Sequence, residues 1–123
     1  MGSVSKQILV VDDDPAIRKM IKIQLEMEGY AVLSAGDTPA AIDAAKNNDI
    51  LVMLLDLHLS DGDGFQVLQA VKKTKPALPV IMVTGSHDEE EARRALEMGA
   101  WDYITKPIDF NYLKNILLMQ SPQ

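Results

Sequence analysis

The sequence of 123 residues contains no cysteine, which excludes disulfide bonds and thiolate metal sites and agrees with a reducing compartment. It also lacks an excess of positive charge, because 12 Lys and Arg residues stand against 18 Asp and Glu residues and give a net charge of −6. A nucleic acid backbone attracts clustered Lys and Arg, so we expect no direct nucleic acid binding. No apolar run is long enough to cross a bilayer, and we expect a cytoplasmic protein without membrane association.

Several familiar active-site patterns are missing as well. There is no glycine-rich phosphate cradle of the Walker or dinucleotide type, so no nucleotide cofactor is predicted. The two histidines, His58 and His87, fit neither a zinc-ligand spacing nor a Ser-His-Asp order, and we expect both to be exposed. The segment at residues 61–64 is similar to part of a calcium loop, but Asp61 stands where a loop opening at Asp56 requires glycine.

Five short apolar runs alternate with amphipathic segments along the chain. Three of the runs consist almost wholly of Val, Ile and Leu, which is typical of strands buried on both faces of a parallel sheet. The runs are residues 8–11, 31–34, 50–55, 80–83 and 101–104. The length suits one domain, and right-handed crossovers place helices on both faces of such a sheet. The pattern therefore predicts a single doubly wound α/β domain.

The segments between the runs have the periodicity of amphipathic helices. In the first helix, Arg18 lies with other charged residues largely on the side opposite the apolar stripe. That stripe consists of Ile17, Met20, Ile21 and Leu25. A last stripe, which begins at Phe110, predicts a fifth helix.

Local signals mark where these helices begin and end. Asp14 and Thr38 each precede a proline that suits the first helical position, and both are predicted to cap a helix. Gly29 and Gly99 fall where the first and fourth helices should end, because glycine readily adopts the left-handed conformation found there. The acidic run at residues 88–91 suits a solvated start of the fourth helix, where the helix dipole favours negative charge.

Polar side chains follow the carboxyl ends of the predicted strands, where ligands bind in doubly wound sheets. Asp12 and Asp13 follow the first strand, Asp56 the third, Thr84 ends the fourth and Lys106 follows the fifth. Clustered carboxylates raise one another's pKa, so a hard cation such as Mg²⁺ is expected among them. An ammonium and a hydroxyl add donors for phosphoryl oxygens. The set predicts a phosphoryl-transfer site with a carboxylate nucleophile.

Four segments, taken in order and spacing, resemble the receiver domains of response regulators, the phosphorylation switches of two-component signalling. They are residues 8–14 (ILVVDDD), 54–57 (LLDL) with Asp63-Gly64, 83–85 (VTG) and 99–107 (GAWDYITKP). The resemblance covers about residues 7–119 and implies a flavodoxin-like (βα)5 sheet with strand order 2-1-3-4-5. It implies a single receiver domain at residues 1–123 with an ordered core at about 6–120. Residues 1–5 are interpreted as a cloning remnant.

The resemblance also implies a role for each acid of the predicted site. Asp56 is expected to be the phosphoacceptor. Asp13 and Asp56 are expected to bind Mg²⁺ directly, together with the backbone carbonyl of His58, while Asp12 holds the waters of the metal.

Further roles follow from the same resemblance. Lys106 is expected to contact the phosphoryl group, and its peptide bond to Pro107 is expected to be cis. Thr84 and Tyr103 are expected to form the switch pair that reports phosphorylation. The domain is expected to catalyse only its own phosphorylation and dephosphorylation.

The expected partners divide into donor and output. The donor is a phosphohistidine on a sensor histidine kinase or on a histidine phosphotransfer protein. The output is another domain or a second, phosphorylation-dependent copy, which contacts the face formed by helix four, strand five and helix five.

Two other functions deserve comparison. A Mg²⁺-dependent phosphatase of the haloacid-dehalogenase type also uses an aspartate nucleophile, and Asp12 and Asp14 have its paired spacing. However, Ala16 stands where that family has Thr or Val, the chain is too short for a cap domain, and no acidic pair follows Lys106. A degenerate receiver that serves only for docking is disfavoured because Asp13, Asp56 and Lys106 are all intact.

Overall fold

The structure, a computed structural model, describes residues 6–120, so the interpretation of residues 1–5 concerns residues outside this range. The strands are β1 (Gln7–Val11), β2 (Ala31–Ala35), β3 (Ile50–Leu55), β4 (His58–Leu59), β5 (Gly62–Asp63), β6 (Val80–Thr84) and β7 (Asp102–Thr105). The helices are α1 (Pro15–Met27), α2 (Thr38–Asn47), α3 (Gly64–Thr74), α4 (Glu89–Glu97) and α5 (Phe110–Gln120). No helix within residues 6–120 combines the length and the apolar character needed to span a membrane.

The main sheet has five parallel strands in the order β2-β1-β3-β6-β7. These are the five predicted strands, each within one residue of its predicted ends, and their order is the expected 2-1-3-4-5. The two-residue strands β4 and β5 pair antiparallel just after β3 and were not predicted, because two residues are too few to show alternation. Gly29 and Gly99 have positive φ angles of 94° and 104°, as predicted for helix ends.

Two apolar layers cover the sheet, one on each face. Along β1, Ile8 and Val10 face α1 and α5, whereas Leu9 and Val11 face α2, α3 and α4, and all four side chains are buried. The continuous Val, Ile and Leu composition of the central strands reflects this burial on both faces. Met20 is the exception in the predicted α1 stripe, since 46% of it is exposed.

The helix starts are fixed by carboxylates. Asp14 caps α1 as predicted. The prediction for Thr38 is wrong, because Asp37 caps α2 by accepting a hydrogen bond of 2.8 Å from the Ala40 N–H. Thr38 is instead the first helical residue, and its N–H and hydroxyl both donate to the carboxylate of Asp61. That interaction joins the start of α2 to the β4–β5 hairpin.

Helix α4 is the least firmly packed of the helices on its face. Asp88 caps it, and Glu89 and Glu90 are exposed, as predicted for a solvated start. The prediction is wrong for Glu91, which is partly buried. Ala95 is the one fully buried residue among the nine of this helix, all of which are described.

The turn between β3 and α3 has no room for a side chain at Gly64. A Cβ built there would lie 2.5 Å from the Asp56 carbonyl oxygen and 2.8 Å from the Leu57 Cα, and both are backbone atoms that cannot move away. We therefore expect Gly64→Ala to lower the free energy of unfolding by about 1–3 kcal/mol, the usual cost of overpacking. Urea unfolding measures this. Gly85→Ala is the matched control, because a Cβ there meets nothing within 4 Å, and an equal loss in both variants would contradict the explanation.

Candidate functional site

Three acidic side chains converge beyond the carboxyl ends of β1 and β3. The Asp56 N–H donates to the Val11 carbonyl over 2.9 Å, which fixes the end of β3 against the end of β1. One carboxylate oxygen each from Asp12, Asp13 and Asp56 lies within 4.8 Å of the other two. Asp12 and Asp56 are buried, while Asp13 is partly exposed. The predicted acidic cluster is thus present at the predicted place.

Lys106 is the cation of the cluster. Its Nζ lies 2.7 Å from Asp12 Oδ2 and 3.3 Å from Asp56 Oδ2. The Lys106 N–H donates to the Thr84 carbonyl over 2.7 Å, and the peptide bond between Lys106 and Pro107 is cis, as predicted. Burial by itself lowers the pKa of Lys106, but the hydrogen bond that Lys106 donates to Asp12 and the charges of Asp56 and Asp12 outweigh burial and raise the pKa.

The surroundings of the Asp56 side chain disfavour its ionised form. Burial raises its pKa, and the charge of Asp12 acts in the same direction. The His58 N–H, which donates to Asp56 Oδ1 over 3.1 Å, and Lys106 both lower it without cancelling the effect of burial. Among the described residues, Lys106 contacts two of the three clustered acids, Asp12 and Asp56, so the cluster has negative charge left for a cation.

The donor set suits a hard divalent cation. All side-chain ligands on offer are carboxylate oxygens, the kind of ligand that Mg²⁺ prefers. Both oxygens of Asp12 already accept hydrogen bonds, one from the Asp14 N–H and one from Lys106. The Asp13 carboxylate accepts no hydrogen bond from residues 6–120, so its oxygens are available to a metal.

The expected switch residues lie on the neighbouring strands. Thr84 ends β6 and is fully buried, and its hydroxyl oxygen accepts a hydrogen bond of 3.2 Å from the Ser86 N–H rather than contacting an acid. Tyr103 is partly buried on β7 and packs against the core beneath α3 and α4. Its hydroxyl is buried, and burial raises its pKa more than the nearby Ser86 side chain lowers it.

Two side-chain contacts near the site were missed by the sequence analysis. The His58 side chain is exposed, as predicted, but its Nε2 lies 3.5 Å from Glu91 Oε1 and so bridges the hairpin to α4. Arg18 was expected on the charged outer side of α1, yet it is partly buried and donates to the Asp12 carbonyl. Neither contact has a sequence signal, because each depends on how a side chain folds back across a turn.

Comparison with known proteins agrees with the arrangement. The family model of the response regulator receiver domain matches residues 8–118. The chain belongs to this family. It is the receiver domain of a two-component response regulator, and response regulators receive their phosphoryl group from histidine kinases. The phosphatase alternative is therefore overturned, and Asp14, its second acid, is engaged in capping α1.

Individual relatives support the same assignment. The probable transcriptional regulatory protein TcrX of Mycobacterium tuberculosis is 38% identical over 81% of this chain and 43% of its own length. A CheY-like receiver domain protein from Methanospirillum hungatei has a TM-score of 0.87 at 35% identity and covers 95% of this chain and 97% of that one. A response regulator protein from Burkholderia pseudomallei, solved with a phosphorylated aspartic acid, a calcium ion and citrate, has a TM-score of 0.86 at 26% identity over 92% of this chain and 66% of that one.

The curated relatives are longer proteins. The chain spans 43% of the length of TcrX and 24% of the length of an NtrX-like response regulator from Rickettsia felis.

The raised pKa of Asp56 has a consequence for stability. Because the folded state binds this proton more tightly than the unfolded chain does, the free energy of unfolding falls as the pH rises from the ordinary pKa of Asp, about 4, through the folded pKa. At pH 7 without divalent metal, we expect Asp56→Asn to be more stable than the parent by an amount on the order of 1 kcal/mol. The difference should shrink below about pH 4, where the carboxyl is protonated in both states.

Urea unfolding across this pH range in the presence of a chelator checks the expectation. Asp49→Asn is the control, because Asp49 is exposed and should change little. A parent that is as stable as Asp56→Asn at pH 7 would contradict the account of the buried carboxylate.

Proposed function

We propose that Asp56 accepts a phosphoryl group from a phosphohistidine on a sensor histidine kinase or a histidine phosphotransfer protein. The observation that carries the proposal is the position of Lys106 Nζ between Asp12 and Asp56 at the mouth of β1 and β3. A buried carboxylate beside an ammonium is a nucleophile with a charge-neutralising group already in place. The phosphorylated aspartic acid in the Burkholderia pseudomallei protein is a supporting precedent for the chemistry. We further propose that residues 1–123 form one receiver domain.

The transfer itself is a displacement at phosphorus. An oxygen of Asp56 forms a bond to phosphorus while the bond between phosphorus and the donor imidazole nitrogen breaks, and the imidazole leaves with the bonding electrons. The Lys106 ammonium, now held by Asp12 and Asp56, is positioned to neutralise one phosphoryl oxygen. The Thr84 hydroxyl is the donor proposed for another. Hydrolysis of the resulting acyl phosphate resets the domain.

The acidic cluster is the proposed Mg²⁺ site. Asp13 and Asp56 would bind the metal directly with the backbone carbonyl of His58, and Asp12 would hold waters of the metal. When bound, Mg²⁺ supplies positive charge against the oxygens of the transferring group. The carboxylate of Asp13, which has no hydrogen-bond donor of its own among the described residues, fits this role best.

Mass spectrometry tests the assignment of the acceptor. With acetyl phosphate and Mg²⁺, the intact parent is expected to gain the mass of one phosphoryl group, and Asp56→Asn is expected to gain none, because an amide lacks the nucleophilic oxygen. Asp61→Asn is the matched control, since Asp61 lies nearby in the β4–β5 hairpin but is bound to Thr38. Phosphorylation that persists in Asp56→Asn would falsify the assignment.

Thr84 and Tyr103 are the proposed switch. Phosphorylation would draw the Thr84 hydroxyl away from the Ser86 N–H and toward the phosphoryl group, which alters the space beside the Tyr103 ring. Phosphorylation would in this way bias an existing equilibrium between two states. We expect the two states to differ at α4, β7 and α5.

Fluorine NMR of fluorotyrosine-labelled protein tests the switch. Thr84→Ala should still bind beryllofluoride, a phosphoryl mimic, because Lys106 and the metal site are intact, but the Tyr103 signal should no longer respond. Thr84→Ser retains the hydroxyl and should retain the response. The coupling is refuted if Tyr103 responds equally in Thr84→Ala and in the parent.

The face of α4, β7 and α5 is the proposed output surface, and a second copy of the chain is its proposed partner. Trp101, just before β7, is 41% exposed, Tyr112 is 47% exposed and Met119 is 75% exposed. A hollow of about 430 Å³ lies among Trp101, Asp102, Tyr112, Asn115, Ile116 and Met119. Exposed apolar groups around a hollow can insert into the same surface of another copy, as a symmetric dimer requires.

Sedimentation with and without beryllofluoride measures this association. We expect the parent to dimerise more strongly with the mimic, and Met119→Glu to remain monomeric because it places a charge in the interface. Met27→Glu on α1 is the matched control, since Met27 is equally exposed at 75%. Two outcomes contradict the dimer: a parent that stays monomeric with the mimic, and dimerisation that Met27→Glu abolishes and Met119→Glu does not.

A further inference from the structure

Arg18 reaches the backbone of the acidic site from α1, next to the turn that follows β2. It is the fourth residue of α1 and is partly buried. Its Nη1 donates a hydrogen bond of 2.6 Å to the carbonyl oxygen of Asp12. This carbonyl belongs to the peptide group that joins Asp12 to Asp13, so the guanidinium holds the backbone between two of the three clustered acids.

Gly36 provides the space for this guanidinium. A Cβ at position 36 would lie 2.7 Å from Arg18 Nη1 and 3.1 Å from its Cζ. Gly36 does not have a positive φ, a conformation that within the described residues is found at Gly29 and Gly99. A side chain at position 36 would therefore displace the guanidinium without straining the backbone. The guanidinium lies between the turn after β1 and the turn after β2.

Asp13 depends on this restraint more than its neighbours do. The carboxylate of Asp12 is held by the Asp14 N–H and Lys106, and that of Asp56 by the His58 N–H and Lys106. Asp13 has no such partner within the described range, so the position of its carboxylate is set by its own rotamer and by its backbone. The Asp12–Asp13 peptide is the part of that backbone that Arg18 contacts.

We propose that Arg18 is a positioning residue for divalent cation binding, and that Gly36 supports this role by leaving room for the Arg18 guanidinium. The inference rests on the proposed metal role of Asp13. A positioning role and a purely electrostatic role of Arg18 predict opposite changes in cation affinity when Arg18 is removed. As a charge alone, Arg18 repels a cation, and its removal would tighten binding. As a positioning residue, it orients a ligand, and its removal weakens binding, typically by 10- to 100-fold for groups behind a metal ligand.

Mg²⁺ titration calorimetry of the unphosphorylated chain distinguishes the positioning role of Arg18 from the effect of its charge. We expect Arg18→Met and Gly36→Ala each to weaken Mg²⁺ binding by about tenfold. Gly36→Ala retains the positive charge and only displaces the guanidinium, so a loss in this variant cannot come from charge. The double variant should bind about as weakly as either single variant, because both changes remove the same contact.

Three further variants complete the experiment. Lys22→Met removes a charge from an exposed position of α1 and should leave the affinity within about twofold of the parent, since exposed charges at a distance are screened by salt. Arg18→Lys retains the charge and one donor and should recover part of the affinity. Asp13→Ala should abolish binding. Urea unfolding of each variant confirms that the titrated protein is folded.

The outcomes distinguish this inference from the function on which it rests. If the parent binds no Mg²⁺, or if Asp13→Ala binds it as the parent does, the proposed metal site fails and this inference fails with it. If Asp13→Ala loses binding while Arg18→Met or Gly36→Ala keeps parental or tighter affinity, the metal site stands and the positioning role of Arg18 is overturned.

Discussion

The site depends on one interaction, the pairing of the Lys106 ammonium with the carboxylates of both Asp12 and Asp56. Placing two carboxylates side by side in a buried position is costly, because each loses hydration and repels the other. Lys106 offsets part of that cost with two short contacts. The remaining negative charge favours a cation in the cluster. In the proposed transfer, that cation and Lys106 would together face the anionic phosphoryl group.

The fold holds the acids on closely packed strands, while a less firmly packed helix lies beside the acceptor turn. The strands β1 and β3 are buried on both faces, so the acids at their carboxyl ends are held by closely packed backbone. Helix α4, in contrast, is anchored by Ala95 and touches the acceptor turn through the contact between Glu91 and His58. The acceptor turn thus lies between closely packed strands and a helix with few buried contacts. If phosphorylation displaces the turn, we expect α4 to move rather than the strands.

Most of the framework could be predicted from the sequence, because it follows from strong and local signals. Continuous apolar runs predict strands buried on both faces, and the acids after them must then meet at one edge of the sheet. Other features depend on competition between neighbours or on folding back in space. Asp37 replaces Thr38 as the cap of α2 because a carboxylate one residue earlier was available and Thr38 binds Asp61 instead. The position of Arg18 over Gly36 depends on two turns that are adjacent only after the sheet has formed.

The most direct test of the central claim is the rate of phosphorylation by acetyl phosphate in Lys106→Met at saturating Mg²⁺. If the shared ammonium neutralises the transferring group, the rate should fall by about 100-fold or more, as it does when a preorganised charge-stabilising donor is removed from an enzyme. Lys72→Met is the control, because Lys72 instead binds the carbonyl of Leu78, away from the acids. A parental rate in Lys106→Met would contradict the account.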